Sequence, residues 1–152
     1  MTLHDIRPIT AQQTMQLRHR ILRPHQKLHE QVYAYDNSPD TFHAGAFVDD
    51  KLVGIATVGR NSPRNEQNPN AWQLRGMAVL PELHRQGFGA ALVRACIQHV
   101  AAHGGNELWC NGRTSAMNFY HSLGFRETGD EFISPMTGPH YVFKREIRTD
   151  ER

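Results

Sequence analysis

Between a predicted strand ending at Val79 and a predicted helix opening at Gly89 lies the loop His84-Arg85-Gln86-Gly87-Phe88-Gly89, whose residue types suit an anion. Glycine lets the backbone reach positive φ and approach a guest closely. Successive N–H groups can then converge as an anion nest, and the following helix adds its unpaired amides and positive end. Arg85 contributes a fork of donors that matches a phosphate. A diphosphate is the natural guest. The loop is not a Walker loop, because Gly89-Ala90-Ala91 stands where Gly-Lys-Ser/Thr is needed. It is not a dinucleotide fingerprint either: Leu92 takes the place of the third small residue, and several strands precede the loop. Taken alone, Gly87 and Gly89 also fit a plain tight turn from strand to helix.

Other chemistry-bearing residues carry weaker patterns. His25 and His29, and His99 and His103, have the i,i+4 spacing that can bind metal on a helix. No third ligand is near in sequence, so no metal is expected, and the helix dipole accounts better for His99 and His103. Cys96 and Cys110 fall on different elements and make no metal-spaced pair. Two cysteines form no disulfide framework, and a reducing, cytoplasmic compartment is expected.

The elements that must position the loop follow from periodicity. Ile6 to Ile9 is a short strand, with Pro8 suited to an edge. Thr10-Ala11-Gln12-Gln13 has capping-box spacing and opens a helix running to about Leu22. His25 to Tyr33 is weakly helical, and Asp36 to Asp40 is a loop. Phe42 to Val48 and Leu52 to Arg60 form a hairpin, and Ala71 to Val79 is the next strand. Gly89 to His103 is a helix with a broad apolar face, closed by Gly104-Gly105. Glu107 to Cys110 is a strand and Ser115 to Leu123 a helix. Phe125 to Asp130 and Tyr141 to Ile147 are strands separated by a Pro/Gly-bearing loop. The expected fold class is α/β of the mixed α+β kind: a mixed, mostly antiparallel sheet of about six to seven strands with about four helices.

The 152 residues suit one domain spanning 1–152. A formal charge of +2 and the lack of a Lys/Arg block argue against nucleic acid as a partner. No long apolar run is present, so neither a signal peptide near Met1 to Ile9 nor a membrane helix is expected.

Leu74-Arg75-Gly76-Met77-Ala78-Val79-Leu80-Pro81-Glu82, followed by His84 to Leu92, resembles the coenzyme A-binding core of the GNAT N-acetyltransferase superfamily. The family pattern Gln/Arg-x-x-Gly-x-Gly/Ala falls on Gly87 and Gly89, with His84 in the first place, a departure from Gln or Arg. Asn111, Ala116-Met117-Asn118-Phe119-Tyr120 and Leu123-Gly124-Phe125 are similar to the family's fifth-strand exit and tyrosine-bearing helix. Leu17 to Leu22 and Gly138-Pro139-His140 are similar to small bacterial ElaA-like members.

The resemblance implies the GNAT acyl-CoA N-acyltransferase fold and acetyl transfer from acetyl-CoA to a primary amine on a small molecule or peptide. It implies pantetheine contacts from the backbone of Met77, Ala78 and Val79, where Gly76 suits a bulge. Arg85, Gln86, Gly87, Phe88, Gly89 and Ala90 would hold the diphosphate, chiefly through amides given His84. Asn111 would hold the pantetheine arm, and Asn118 would face the nucleotide end. Tyr120 would protonate the leaving sulfur. His140, Glu131, His43 and Cys110 are the candidate bases, His140 first because histidine is the side-chain type suited to proton transfer near neutral pH. Trp72 and Trp109 could wall the acceptor pocket, and Arg18, Arg20 and Arg23 could favour an acidic acceptor. Many members of this fold dimerise, which allows a homodimer. A non-catalytic acyl-CoA sensor on the same fold is the competing reading, and a nucleotide-binding module a third.

Overall fold

The computed structural model describes residues 4–135 and 137–152. Met1 to Leu3, within the Met1 to Ile9 stretch read above for a signal peptide, and Met136, within the Pro/Gly-bearing stretch read above as a loop, lie outside the described residues. Seven strands form one sheet: β1 (Asp5–Ile9), β2 (Phe42–Val48), β3 (Lys51–Arg60), β4 (Ala71–Val79), β5 (Glu107–Arg113), β6 (Arg126–Ser134) and β7 (Gly138–Glu146). Their spatial order is β1-β2-β3-β4-β5-β7-β6, antiparallel except where β4 meets β5. Among the described residues three α-helices accompany them, α1 (Ala11–Leu17), α2 (Phe88–Ala102) and α3 (Met117–Ser122), where about four helices were expected. The expected fourth, over His25 to Tyr33, is only a 3₁₀ turn at Leu28–Glu30.

Thr10 caps α1 as its spacing predicts. Its Oγ1 accepts from the Gln13 N–H at 3.2 Å, and Gln13 Oε1 accepts from the Thr10 N–H at 2.8 Å. From Arg18 to Leu22 the helix loosens into a π turn, closed by the Arg23 N–H donating to the Arg18 carbonyl at 2.9 Å. That turn carries the Arg18 side chain into the interior.

α2 buries Leu92, Val93, Cys96, Ile97, Val100 and Ala101. It packs on β2, β3 and β4. Its end is a Schellman arrangement, with Gly105 N–H on Val100 O at 2.9 Å and Gly104 N–H on Ala101 O at 3.3 Å. Trp72 is fully buried here, and neither it nor Trp109 reaches the cavity described below.

His99 is not a solvated charge at the end of a helix. Its ring stacks between Phe42 at 4.7 Å and His103 at 4.0 Å, and Nε2 donates to the Asp40 carbonyl at 2.9 Å. Burial, with His103 beside it, outweighs that hydrogen bond and lowers its proton affinity. The unfolded chain therefore takes up this proton first, and stability should fall as pH drops through the unfolded value of about 6.5. His99→Gln is expected to shallow the loss of melting temperature between about pH 7.5 and 5.5; an unchanged slope would remove His99 as its source.

β6 and β7 are longer than expected and pair to Ser134↔Gly138. Gly138-Pro139-His140 is therefore strand rather than approach loop.

Candidate functional site

β4 and β5 pair as parallel strands only at Ala71↔Glu107, Trp72↔Leu108 and Gln73↔Trp109. Beyond that point they separate. β4 also bulges: Ile55 faces Ala78 and Thr57 faces Arg75, so Gly76 and Met77 share one partner position. Gly76 takes φ +62°, and a Cβ there would lie 2.9 Å from the Tyr33 ring. Only glycine suits both demands.

The gap opens into a cavity of about 920 Å³, at the upper end for cofactor and ligand sites. Met77, Ala78, Val79, Arg85, Gly87, Phe88, Gly89, Ala90, Asn111, Tyr120 and His140 all line it. Two other predicted residues do not. Gln86 turns its side chain back toward the Glu82 carbonyl at 3.4 Å, and Asn118 is exposed on α3.

At one end of the cavity is the loop before α2. Arg85 and Gly87 both have positive φ, 64° and 86°. The amides of Arg85, Gln86 and Gly87 donate to no described group, and the first bond of α2 comes from Ala91 N–H to Gly87 O at 3.0 Å. Phe88, Gly89 and Ala90 amides are thus free as well, as a helix start requires. His4 pins this loop: its Nε2 donates to the Gln86 carbonyl at 2.7 Å, and its ring meets Phe88 edge-on at 4.6 Å. Nothing in the sequence pattern around His4 pointed to that contact.

His84 explains its own departure from Gln or Arg. Its Nε2 donates to the Val79 carbonyl at 2.8 Å, tying the loop back to β4. Leu80 N–H is turned to Val53 O at 2.9 Å. Alternation along the regular end of the strand then points the Val79 amide away from β3, into the gap. With the Val79 carbonyl taken by His84, its N–H remains for a guest.

On the other wall, Tyr120 is packed by Phe143 at 4.6 Å and Phe125 at 5.8 Å. Its hydroxyl forms no regular hydrogen bond with a described residue. Burial raises its pKa above the ordinary phenol value, the Cys110 thiol beside it raises it further, and Arg113 offsets only part. Tyr120 therefore stays protonated at neutral pH. Burial pushes the Cys110 thiol up to about 12, so it is no nucleophile.

His140 lies opposite Arg113 in the β5–β7 register and stacks on Phe132 at 5.7 Å. Its Nδ1 donates to the Gly138 carbonyl at 2.8 Å, and Nε2 bonds no described residue. The other candidate bases fall away on position. His43 spends both ring nitrogens on Thr57 and the Asp36 carbonyl, outside the cavity. Glu131 accepts from the Thr114 hydroxyl at 2.7 Å, also outside it. Among the described residues no group of three His, Cys, Asp or Glu could hold a metal ion. No helix among them is long and apolar enough to cross a membrane.

Residues 7–135 match the model of the acetyltransferase (GNAT) domain. The chain belongs to the GNAT acetyltransferase family. It is 34% identical over 145 residues to a protein of Bacillus subtilis (strain 168) designated an uncharacterized N-acetyltransferase, YitI, covering 95% of this chain and 97% of that one. The fold superposes on Escherichia coli ElaA with a TM-score of 0.76 at 18% identity, covering 95% of this chain and 100% of that one. It also superposes on an aminoglycoside 6′-N-acetyltransferase complexed with coenzyme A, with a TM-score of 0.74 at 15% identity, covering 93% and 96%. The seven-stranded mixed sheet of this chain is the GNAT acyl-CoA N-acyltransferase fold.

Proposed function

We propose that this GNAT protein, acting as one domain in the cytoplasm, transfers the acetyl group of acetyl-CoA directly to a primary amine. The observation that carries this reading is the continuity of one cavity. It joins the free amides of residues 85–90, the unpaired edges of β4 and β5, and a phenol kept protonated by burial.

The residues fit the coenzyme in kind. Arg85 through Ala90 would hold its diphosphate with backbone donors, as a nest at a helix start does. The Met77 and Val79 amides and Asn111 would take the amide-bearing arm. Acetyl-CoA supplies an activated thioester, whose C–S bond breaks as the amine nitrogen bonds to the carbonyl carbon. Tyr120 holds at Oη the proton that meets the departing sulfur. His140, through Nε2, takes the proton that the amine nitrogen sheds. A raised phenol pKa means that Tyr120 donates only once charge has built on sulfur, and does not lose its proton beforehand.

Thiol release with a panel of primary amines tests the reading. Acetyl-CoA binding without thiol release from any amine would favour a non-catalytic sensor. His84→Ala removes one neutral hydrogen bond of about 1 kcal/mol, so acetyl-CoA affinity should fall less than about tenfold. Loss of binding altogether would mean that the side chain at 84, rather than the loop amides, carries the grip.

A further inference from the structure

The cavity wall is one-sided in charge. Arg23, Arg75, Arg85 and Arg113 line it, and no Asp or Glu does among the described residues. Elsewhere Arg7, Arg18, Arg60, Lys144, Arg145 and Arg148 each meet a carboxylate. Arg23 and Arg75 meet none among the described residues, although both are half-buried.

These two guanidinium groups converge on one ring. The Arg75 guanidinium lies 4.1 Å from the Tyr33 ring centroid and that of Arg23 5.5 Å away. Arg18 covers the same ring at 3.8 Å, but its charge is already met by Asp36 at 2.7 Å. A guanidinium placed over an aromatic ring, with no carboxylate on it, has edge donors to offer a planar or tetrahedral anion. Two such groups on one aromatic platform repel each other until an anion arrives.

That anion is not the coenzyme's diphosphate. Arg75 precedes Val79 by four residues, roughly 13 Å of strand at about 3.3 Å per residue. The amide loop lies beyond Val79, on the opposite side of Gly76. Arg23, Arg75 and Tyr33 thus stand at the end of the cavity remote from the loop.

We propose that the acceptor is an amine that also carries a carboxylate or phosphate, gripped by Arg23 and Arg75 over Tyr33. This rests on the transferase reading above and supplies its substrate class. The cationic wall has a second effect, since like charge favours the neutral, nucleophilic form of the amine. A polycationic amine meets repulsion and no carboxylate.

Matched probes test it. β-Alanine and phosphoethanolamine should be acetylated with kcat/KM at least about tenfold above β-alaninamide and ethanolamine, with spermidine poorest. The better of the two anionic amines identifies carboxylate or phosphate as the partner. In the R23Q/R75Q double variant the preference should collapse through KM, with acetyl-CoA affinity by calorimetry unchanged. A second arm needs no turnover: N-acetyl-β-alanine should bind the coenzyme A-loaded protein at least about tenfold tighter than N-acetyl-β-alaninamide, and this too should vanish in R23Q/R75Q. Equal or better use of the uncharged amines or spermidine, or equal or absent binding of the two acetylated probes, overturns the proposal. Selective binding of the carboxylate without thiol release from any amine would instead overturn the transferase reading and leave the anion site standing.

Discussion

Replacing Tyr120 by Phe is expected to lower turnover about tenfold or more while acetyl-CoA affinity stays within a few-fold. The ring does the packing: it stacks on Phe143 at an interplanar angle of 23°, and a Cβ on Gly112 would lie 2.5 Å from it. Phe keeps all of that. The hydroxyl forms no regular hydrogen bond with a described residue, so its loss should barely move the melting temperature. Single-turnover thiol release and calorimetric binding separate the two effects. Unchanged turnover would remove Tyr120 from the chemistry and leave it a core aromatic.

The largest effect on stability is expected at Asp36. Asp36→Ala should cost about 3–5 kcal/mol, because it leaves the Arg18 guanidinium buried and uncompensated. Arg18 is wholly buried, and Asp36 meets it with both oxygens, at 2.7 and 2.9 Å. Asp36 also accepts the Tyr33 N–H at 2.8 Å. Among the described residues only the Gln31 carbonyl and the Thr57 hydroxyl, each 2.9 Å away, would remain as hydrogen-bond partners of Arg18. Burial works against the carboxylate, but Arg18 and the Tyr33 amide outweigh it and hold its pKa below the ordinary range. Its stabilising share is therefore present above the unfolded carboxylate value and lost as pH falls below it. Removing both partners together, as in Arg18→Met with Asp36→Ala, should recover much of the loss in urea denaturation. A single-variant cost under about 1 kcal/mol would mean that the pair is not what holds α1 to the sheet.

Much of this molecule was legible before its coordinates. Period-two alternation placed β2, the hairpin reading placed β3 beside it, and one apolar stripe placed α2. The loop at 84–89 was legible as an anion nest because its signal is local: glycines at fixed spacing between strand and helix. The Tyr120 wall needed the family resemblance, since nothing local marks that tyrosine as facing a cavity. What sequence could not reveal were partners distant in the chain. Arg18 read as a cation that could favour an acidic acceptor, yet the π turn sends it inward to a carboxylate in a loop eighteen residues on. Arg20 is exposed, and of the three early arginines only Arg23 reaches the cavity. Arg75 passed unremarked because strand alternation alone does not say which face borders a void. His84 showed a missing Gln or Arg but not its tie to the Val79 carbonyl.

The short seam between β4 and β5 has a mechanical meaning. β1 to β4 are cross-laced along their lengths, and so are β5 to β7, but three residue pairs join one set to the other within the sheet. The molecule thus behaves as two stiff plates sharing a brief spine. The cheapest deformation is a change in the angle between them, since it strains the fewest bonds. An elongated guest seated in the notch, bonded to both plates, acts as a splint. Rigidity in the loaded protein would then belong in part to what it carries.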